Sequence, residues 1–174
     1  RPEIKKGVLD LSNWAFKKGS VELKGEWQFF WKKFIKNSSD VVGPSHFLKT
    51  NTSWTILSKD YTRTGYGSFV VKVVGLKGRK IAFKSGYVLS AFEMLKVSKE
   101  GTELIQKSGV LGKNADEETP QFKSFVTDSL KGDEFFLVLN ISNFNFREGA
   151  IGNFKIGSYS AVMREFEIER YSIL

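Results

Sequence analysis

Hydrophobic positions alternate with polar ones near the start of the chain. The apolar residues of the segment 20–31 share one parity: Val21, Leu23, Trp27, Phe29 and Trp31. Successive side chains of a β-strand point to opposite faces of a sheet, so this spacing predicts a strand with one buried face. We therefore expect residues 20–31 to form one such strand.

Further short strands are predicted along the rest of the chain, because apolar or alternating runs are bounded there by Gly, Lys or Ser turns. The predicted strands are residues 68–74, 80–83, 91–97, 102–106, 122–126, 135–141, 153–156 and 162–168. The segment 135–141 is apolar on both parities, which is typical of a strand covered on both faces in the middle of a sandwich.

Helical periodicity is weak, and we expect helix to contribute little. Residues 31–35 could form a turn or two, and no amphipathic window of about 12 residues is found. About nine strands without alternating helices favour an all-β antiparallel sandwich or barrel over a doubly wound α/β fold. The polar segments 36–64 and 108–120 are predicted to be loops at the sheet ends, where binding sites are commonly built.

Composition fits a single domain with a large aromatic core. The chain has 174 residues, with 16 Phe, 5 Tyr and 4 Trp, and no Pro/Gly/Ser-rich linker divides it. We therefore expect residues 1–174 to form one domain. Cysteine is absent, which excludes disulfides, thiolate zinc sites and a cysteine nucleophile.

The formal charge is +8, which raises the question of an anionic partner. The cations are scattered as short pairs such as Lys5-Lys6, Lys17-Lys18 and Lys32-Lys33, with acids placed between most of these groups. No arginine-rich helix or arm is present, so we expect a lysine-rich surface and no nucleic-acid partner.

Residues that could support catalysis are few. The one histidine, His46, has no nucleophile elbow to pair with. The acids at 116–118 and at Asp133 and Glu134 lie in turn-like polar stretches, where solvated loops are the simpler interpretation than a pair of glycosidase carboxylates. We expect no enzyme activity and no cofactor. The same acid oxygens are ligands that Ca²⁺ accepts, so a structural Ca²⁺ is left open.

Three ordered blocks of the chain carry a resemblance to a known family. Residues 7–14 read Gly-Val-Leu-Asp-Leu-Ser-Asn-Trp, and residues 23–31 read Leu-Lys-Gly-Glu-Trp-Gln-Phe-Phe-Trp. The second block is Ser-Trp at 53–54 followed by Gly-Tyr-Gly-Ser-Phe at 65–69. The third is Ile-Ser-Asn-Phe-Asn-Phe-Arg-Glu-Gly at 141–149.

These blocks resemble the N-terminal extracellular domain of bacterial receptors that have seven transmembrane segments and diverse intracellular signalling modules. Phe30 stands where the family has Tyr, Asn145 and Phe146 fill positions where His is common, and Ala150 replaces a Gly. The resemblance implies a jelly-roll sandwich of the galactose-binding type, in a domain tethered to membrane segments on the periplasmic or extracellular face of the inner membrane. We expect the start at Arg1 to be that of a fragment lacking its native signal and anchor, with proteolytic maturation as the alternative.

Candidate ligand-binding residues lie at the predicted loops and strand ends. Sugars stack on aromatic rings while amides and guanidinium groups bond their hydroxyls. The candidates are Trp54, Tyr66, Asn143, Asn145 and Arg147, with Trp14 and Tyr61 as further loop aromatics. The competing interpretations are that the rings pack in the core, that Asn143 caps a turn, and that Arg147 pairs with an acid.

We expect a sensor domain that binds a small ligand, a carbohydrate among the candidates, or a partner protein, and relays binding to an intracellular output module. Two alternatives stay open. One is a carbohydrate-binding accessory domain of a glycosidase. The other is a structural adhesion or dimerisation domain that forms a homodimer.

Overall fold

The structure, a computed structural model, describes residues 1–86, 90–120, 126–144 and 153–173. Within these ranges the alternating segments form eleven strands, and one α-helix follows them. The elements are β1 (Val8–Asp10), β2 (Val21–Glu22), β3 (Glu26–Trp31), β4 (His46–Lys49), β5 (Gly65–Val74), β6 (Ile81–Ser85), β7 (Ala91–Ser98), β8 (Gly101–Ser108), β9 (Val126–Leu130), β10 (Phe135–Asn143), β11 (Phe154–Gly157) and α1 (Tyr159–Ile173).

The strands form two sheets that face each other. The larger has the order β4-β3-β5-β10-β7-β8, with β1 parallel to the end of β5, and the smaller has the order β2-β11-β6-β9. After β5 the chain crosses repeatedly between the sheets, so that β5-β10-β7-β8 and β2-β11-β6-β9 become the two four-stranded layers of a jelly roll. The predicted all-β antiparallel jelly-roll sandwich is confirmed.

The main core lies between the two sheets. Odd-numbered residues of β5 and β10 point into it and are fully buried, among them Phe69, Val71, Leu137 and Leu139. The smaller sheet contributes Phe83 and Phe154, which stack with ring centroids 5.7 Å apart. Burying each such side chain contributes about 1.5–3 kcal/mol, so this layer holds the sheets together.

The outer face of the larger sheet carries a second apolar cluster. It joins Phe30, Val70, Leu95, Val97 and Val138 to Ile35, and Val41 packs against it. Ile35 and Val41 belong to residues 33–41, which we call the strap because this segment lies across the sheet. The prediction that 135–141 is covered on both faces is confirmed, since the described strand β10 is buried at all but one position.

The prediction of one strand over residues 20–31 is wrong, because Gly25 divides it. Gly25 has φ +126°, and a Cβ there would lie 2.1 Å from the carbonyl oxygen of Ile4. The chain therefore leaves the smaller sheet after β2 and enters the larger sheet at β3. Apolar residues before and after Gly25, such as Leu23 and Trp27, are odd-numbered, so the alternating pattern does not reveal the break between the two strands.

The prediction of a strand at 162–168 is also wrong, because these residues lie in α1. Val162, Phe166 and Ile168 share a parity, which is the pattern of a strand. The Met, Arg and Glu residues between them have high helix propensity. Ser158 begins the helix: its carbonyl oxygen accepts from the Val162 amide at 3.0 Å, and its hydroxyl accepts from the Ala161 amide at 3.3 Å.

Other differences are local. The predicted helical turn at 31–35 is absent, and strands β1 and β4 were not predicted; β4 lies inside the expected loop 36–64. Of the predicted strand 122–126, only Val126 is among the described residues, as the first residue of β9. No described helix combines the length and hydropathy that a membrane span requires.

Glu165 attaches α1 to the outer face of the smaller sheet. Its Oε1 accepts a hydrogen bond from the Ser20 hydroxyl at 2.7 Å, and its Oε2 lies 3.1 Å from Nζ of Lys155. Burial raises the pKa of Glu165, but the bonds from Ser20 and Lys155 and the charges of Lys155 and Lys84 outweigh it. The pKa is therefore held below its ordinary value of 4.5.

The first prediction concerns Gly25. Replacing Gly25 with Ala is expected to lower the free energy of unfolding by about 3 kcal/mol or more, through strain at positive φ and overlap with Ile4. Gly101→Ala is the matched control, because Gly101 has φ +138° with no atom within 4 Å of its Cβ position. It should lose about 1 kcal/mol. Equal losses in urea denaturation would contradict the role given to Gly25.

The second prediction concerns Glu165 and pH. A depressed pKa in the folded state gives stability that is present above pH 4.5 and is lost as the pH falls through the folded value. Glu165→Gln should therefore lower the melting temperature at pH 7, and its difference from wild type should shrink as the pH falls below 4.5. Glu167→Gln, exposed on the same helix, should show little change at either pH. A Glu165→Gln deficit that persists undiminished in acid would refute this.

Candidate functional site

Parts of the sequence blocks that carry the family resemblance meet at one end of the sandwich, whereas residues 8–10 of the first block pair with residues 72–74 at the other end of β5. Trp31, the last residue of β3, pairs with Gly67 near the start of β5. Asn143, the last residue of β10, pairs with Gly65 at the other side of the same strand. The ends of β3 and β10 therefore lie beside the start of β5.

An aromatic ladder runs from the core to the surface at this end. Phe29 stacks on Trp54 at a centroid distance of 5.6 Å, and the ring of Trp31 meets Trp54 edge-on at 5.6 Å. Trp31 then stacks on Tyr61 at 4.6 Å, with an interplanar angle of 21°. His46 completes the ladder, meeting Tyr61 edge-on at 5.8 Å. We call Trp31, His46 and Tyr61, the outer members, the aromatic rim.

Exposure increases along the ladder. Phe29 and Trp54 are 0% exposed. Trp31 and Tyr61 are half-buried and pack against the core, and His46 is exposed. The rim therefore presents rings whose inner neighbours fix their orientation.

The loop before β5 is built around the Trp54 indole. The hydroxyl of Ser53 accepts from the amide of Thr55 at 3.4 Å and begins a short 3-10 turn at Trp54–Ile56. The indole Nε1 of Trp54 donates to the carbonyl oxygen of Thr62 at 2.6 Å. This bond draws the loop back over the ring and places Tyr61 beside Trp31.

Gly65 provides the surface on which Trp31 lies. A Cβ at Gly65 would stand 2.5 Å from Cη2 of Trp31. A residue with a side chain would displace the indole, so the Gly-Tyr-Gly block at 65–67 has a packing role in setting the rim.

The predicted site residues have different environments in the structure. Trp54 belongs to the core, and with no exposed ring surface its predicted stacking on a ligand is not supported. Tyr66 lies on the outer face of β5, half-buried against Phe34 at 4.8 Å. Asn143 is 1% exposed. Asn145 and Arg147 lie outside the described residues, so the predictions for them stay predictions.

Sequence reasoning assigned Trp31 to the core on parity alone. Its position as the last residue of a strand, where the sheet edge is open, was the signal that could have placed it at the rim. Tyr61 was named among the loop aromatics, and in the structure its ring stacks on that of Trp31. Lys32 adds a charged group nearby, since its Nζ lies 5.9 Å from the centroid of the Trp31 ring. The exposed Arg63 follows Tyr61 by two residues in the same loop.

Three of the five acidic candidates accept hydrogen bonds from backbone amides. Carboxylate oxygens of Glu117 and Glu118 accept from the amides of Lys113 at 2.8 Å and Phe144 at 3.0 Å. Asp133 accepts from the amide of Gly78 at 2.8 Å. In the described part of the chain, no three His, Asp or Glu side chains group as metal ligands.

A concave surface also lies on the outer face of the larger sheet, beside the strap. This cavity measures about 670 Å³ and is lined by Val97, Phe136 and polar residues that include Ser38 of the strap and Glu134. Glu134 is bound to Lys72 at 2.8 Å. Ser38 and Ser39 of the strap line one side of the cavity.

Asn140, fully buried on β10, fixes the strap to the sheet. Its Nδ2 donates to the carbonyl oxygen of Ile35 at 2.8 Å and to Oε1 of Glu93 at 3.0 Å. Its Oδ1 accepts from the amide of Ile35 at 3.1 Å and from the hydroxyl of Ser68. Lys36 forms an ion pair with the same Glu93.

The third prediction follows from this network. Asn140→Ala leaves the Ile35 carbonyl and Glu93 short of buried partners, and should lower the free energy of unfolding by about 3 kcal/mol. Hydrogen exchange at the Ile35 amide should accelerate as well. Asn114→Ala, which removes an exposed side chain that bonds only its own turn, should change stability by less than about 1 kcal/mol. A similar loss in both variants would show that Asn140 does not hold the strap.

No family model matches the sequence, and no curated protein matches it either. Solved structures do share the fold. A GH2 β-galacturonidase from Eisenbergiella tayi, bound to galacturonate, superposes with a TM-score of 0.50 at 11% identity. The match covers 80% of this chain and 24% of that enzyme. At this identity the likeness shows the fold alone.

Two further structures match with TM-scores of 0.45 and 14% identity. The β-glucuronidase of Faecalibacterium prausnitzii is matched over 72% of this chain and 21% of its own. The β-D-mannosidase of Dictyoglomus thermophilum is matched over 71% and 15%. This chain thus spans less than a quarter of each of the three enzymes.

Proposed function

We propose that this chain is a non-catalytic recognition domain that binds a carbohydrate at the aromatic rim. The observation that carries the proposal is the stacked pair of Trp31 and Tyr61, half-buried at the strand ends and held by the core beneath it. A sugar would lie against this pair, between Lys32 and the loop that carries Arg63.

The chemistry of the rim suits a sugar better than an apolar ligand. Aromatic rings receive the C–H face of a pyranose, while lysine, arginine and hydroxyl groups bond the ring hydroxyls. Because Phe29 and Trp54 already fix the rings, binding would immobilise few side chains, and each avoided rotamer loss saves about 0.5–1.5 kcal/mol.

Two observations support a non-catalytic role. The carboxylates of Glu117, Glu118 and Asp133 are engaged by backbone amides, and glycoside hydrolysis needs two acids free to face one bond. The fold likeness also covers only 24% of the β-galacturonidase chain, as an accessory domain of a larger enzyme would.

Within this role, we propose that the domain is the sensor of a bacterial membrane receptor and lies on the periplasmic or extracellular side. The resemblance of the blocks at 7–31, 65–69 and 141–149 supports this. Binding would shift the population of two states of the domain. Helix α1, which follows the last strand and is attached through Glu165, is the element in position to report the shift.

An accessory carbohydrate-binding domain of a glycosidase is the second candidate, favoured by the fold shared with the β-galacturonidase. Both candidates need the same recognition step. They differ in what the domain is joined to, and reading the full gene for membrane spans or a glycosidase domain separates them.

The fourth prediction tests recognition at the rim. Neutral hexoses and their oligomers are titrated into the protein and binding is measured by calorimetry. For a sugar that binds, Tyr61→Ala should weaken affinity about tenfold, since a lost stacking contact is worth about 1–1.5 kcal/mol. Tyr61→Phe, which keeps the ring, should bind within about twofold of wild type.

Tyr159→Ala is the matched control, because Tyr159 is an exposed tyrosine on α1, away from the rim. It should bind as wild type does. The proposal fails if none of the sugars binds the wild-type protein, or if the Tyr61 and Tyr159 variants lose affinity equally.

A further inference from the structure

A basic groove lies at the opposite end of β3 from the aromatic rim. This open depression of about 700 Å³ is lined by residues 3–6, 24–26 and 49–51. Four lysines line it, and we call it the lysine groove: Lys5, Lys6, Lys24 and Lys49. The length of β3 separates the groove from the rim by about 17 Å, at about 3.4 Å per residue.

The positive charge of the groove is only partly balanced. Two acids line the same cavity, Glu3 and Glu26. Glu3 lies 3.6 Å from Lys24 in an exposed pair, and Glu26 accepts weakly from the backbone amide of Lys6 at 3.4 Å. Within the described ranges, Lys5, Lys6 and Lys49 have no carboxylate within ion-pair distance, so the groove has a surplus of positive charge.

The backbone at Lys6 has a left-handed conformation, which is unfavourable for lysine. Lys6 and Gly7 have φ of 47° and 77°. They form a two-residue turn closed by hydrogen bonds between Lys5 and Val8 at 2.9 and 3.0 Å. Asn is the residue that such a turn favours ahead of Gly, and a left-handed lysine costs about 1 kcal/mol. The geometry of the turn therefore favours Asn over lysine at position 6 and does not explain why a lysine is present there.

A second Lys-Gly pair has the same left-handed backbone conformation, and its lysine side chain has a structural contact. Lys77 and Gly78 have φ of 55° and 73°. There the Nζ of Lys77 donates to the carbonyl oxygen of Ser12 at 3.1 Å, so its side chain ties two segments together. The side chain of Lys6 makes no hydrogen bond or ion pair within the described part of the protein.

The opposite wall of the groove is held by its own bonds. The amide of Gly25 donates to the Thr50 hydroxyl at 2.8 Å, and the amide of Thr50 donates to the carbonyl oxygen of Gly25 at 2.9 Å. Asn51 follows with φ of 64°. Both walls are thus preorganised, which lowers the entropy that a ligand must overcome.

We propose that the lysine groove binds a small organic anion that carries carboxylate or phosphate groups. Its volume lies within the range of small-molecule sites. Lysine ammonium groups act as compact charges toward such anions, and those of Lys5, Lys6 and Lys49 form no ion pair within the described residues, although Glu26 lies across the strand pair from Lys49. The site is independent of the rim, so either one can fail in a test without the other.

The fifth prediction uses citrate and inorganic phosphate as the probes, at low ionic strength. Amide signals of residues 5–7 and 49–51 should shift in two-dimensional NMR when at least one of these anions is added. Lys6→Asn and Lys49→Asn should each weaken that binding about tenfold. Lys6→Asn should keep or raise the melting temperature, because Asn suits the turn. A structural role for Lys6 would lower it.

Two control variants match the charge change. Lys77→Asn alters another left-handed lysine that also precedes a glycine, and Lys107→Asn alters an exposed lysine on β8, the opposite edge of the larger sheet. Both should bind within about twofold of wild type. If these controls lose as much affinity as Lys6→Asn, the attraction belongs to the overall charge and the proposal is overturned.

Two other outcomes would overturn it as well. One is the absence of signal shifts with either anion at tens of millimolar. The other is adsorption to vesicles containing phosphatidylglycerol without binding of either small anion, which would identify a surface for lipid rather than a site for a solute.

Discussion

The burial of the strand pair β5 and β10 on both faces is the constraint on which the rest of this structure depends. Backbone groups of these strands are paired in the ladder between them and their neighbours β3 and β7. Their side chains need an apolar layer on each side. The smaller sheet supplies one layer and the strap supplies the other.

The strap meets this need by combining apolar and polar contacts. Ile35 fills the outer-face cluster, and its amide and carbonyl are satisfied by Asn140. The buried side-chain amide of Asn140 makes this packing specific, because its hydrogen bonds can form in only one register of the strap over the sheet. The same logic makes the rim rigid, where the Trp54 indole bonds to Thr62 and the outer rings rest on it.

The sequence predicted the parts of the fold that repeat a local pattern. Strands β5, β7, β8, β10 and β11 followed from alternation or from continuous apolar runs, because burial of a strand leaves its period in the sequence. The break at Gly25 did not, since it depends on the approach of Ile4, which is distant in the chain. Helix α1 was missed because apolar residues at 162, 166 and 168 share the parity of a strand. Only 162 and 166 also have the i, i+4 spacing of a helix, and contact with the smaller sheet decides between the two.

The candidate site was only partly predictable for a related reason. The sequence placed the candidate residues at strand ends and loops, and Tyr61 could be named as a loop aromatic. Whether Trp54 or Trp31 reaches the surface depends on how the loop before β5 folds back. No local spacing encodes that.

Recognition at the rim is the central claim, and the four tryptophans of the chain offer a direct measurement. Each indole N–H gives a separate NMR signal, which can be followed while a binding sugar is added. The Trp31 signal should shift, whereas that of Trp27, which is buried and bonded to the Leu23 carbonyl, should stay in place. Shifts at Trp14 or Trp27 with Trp31 unmoved would contradict the account.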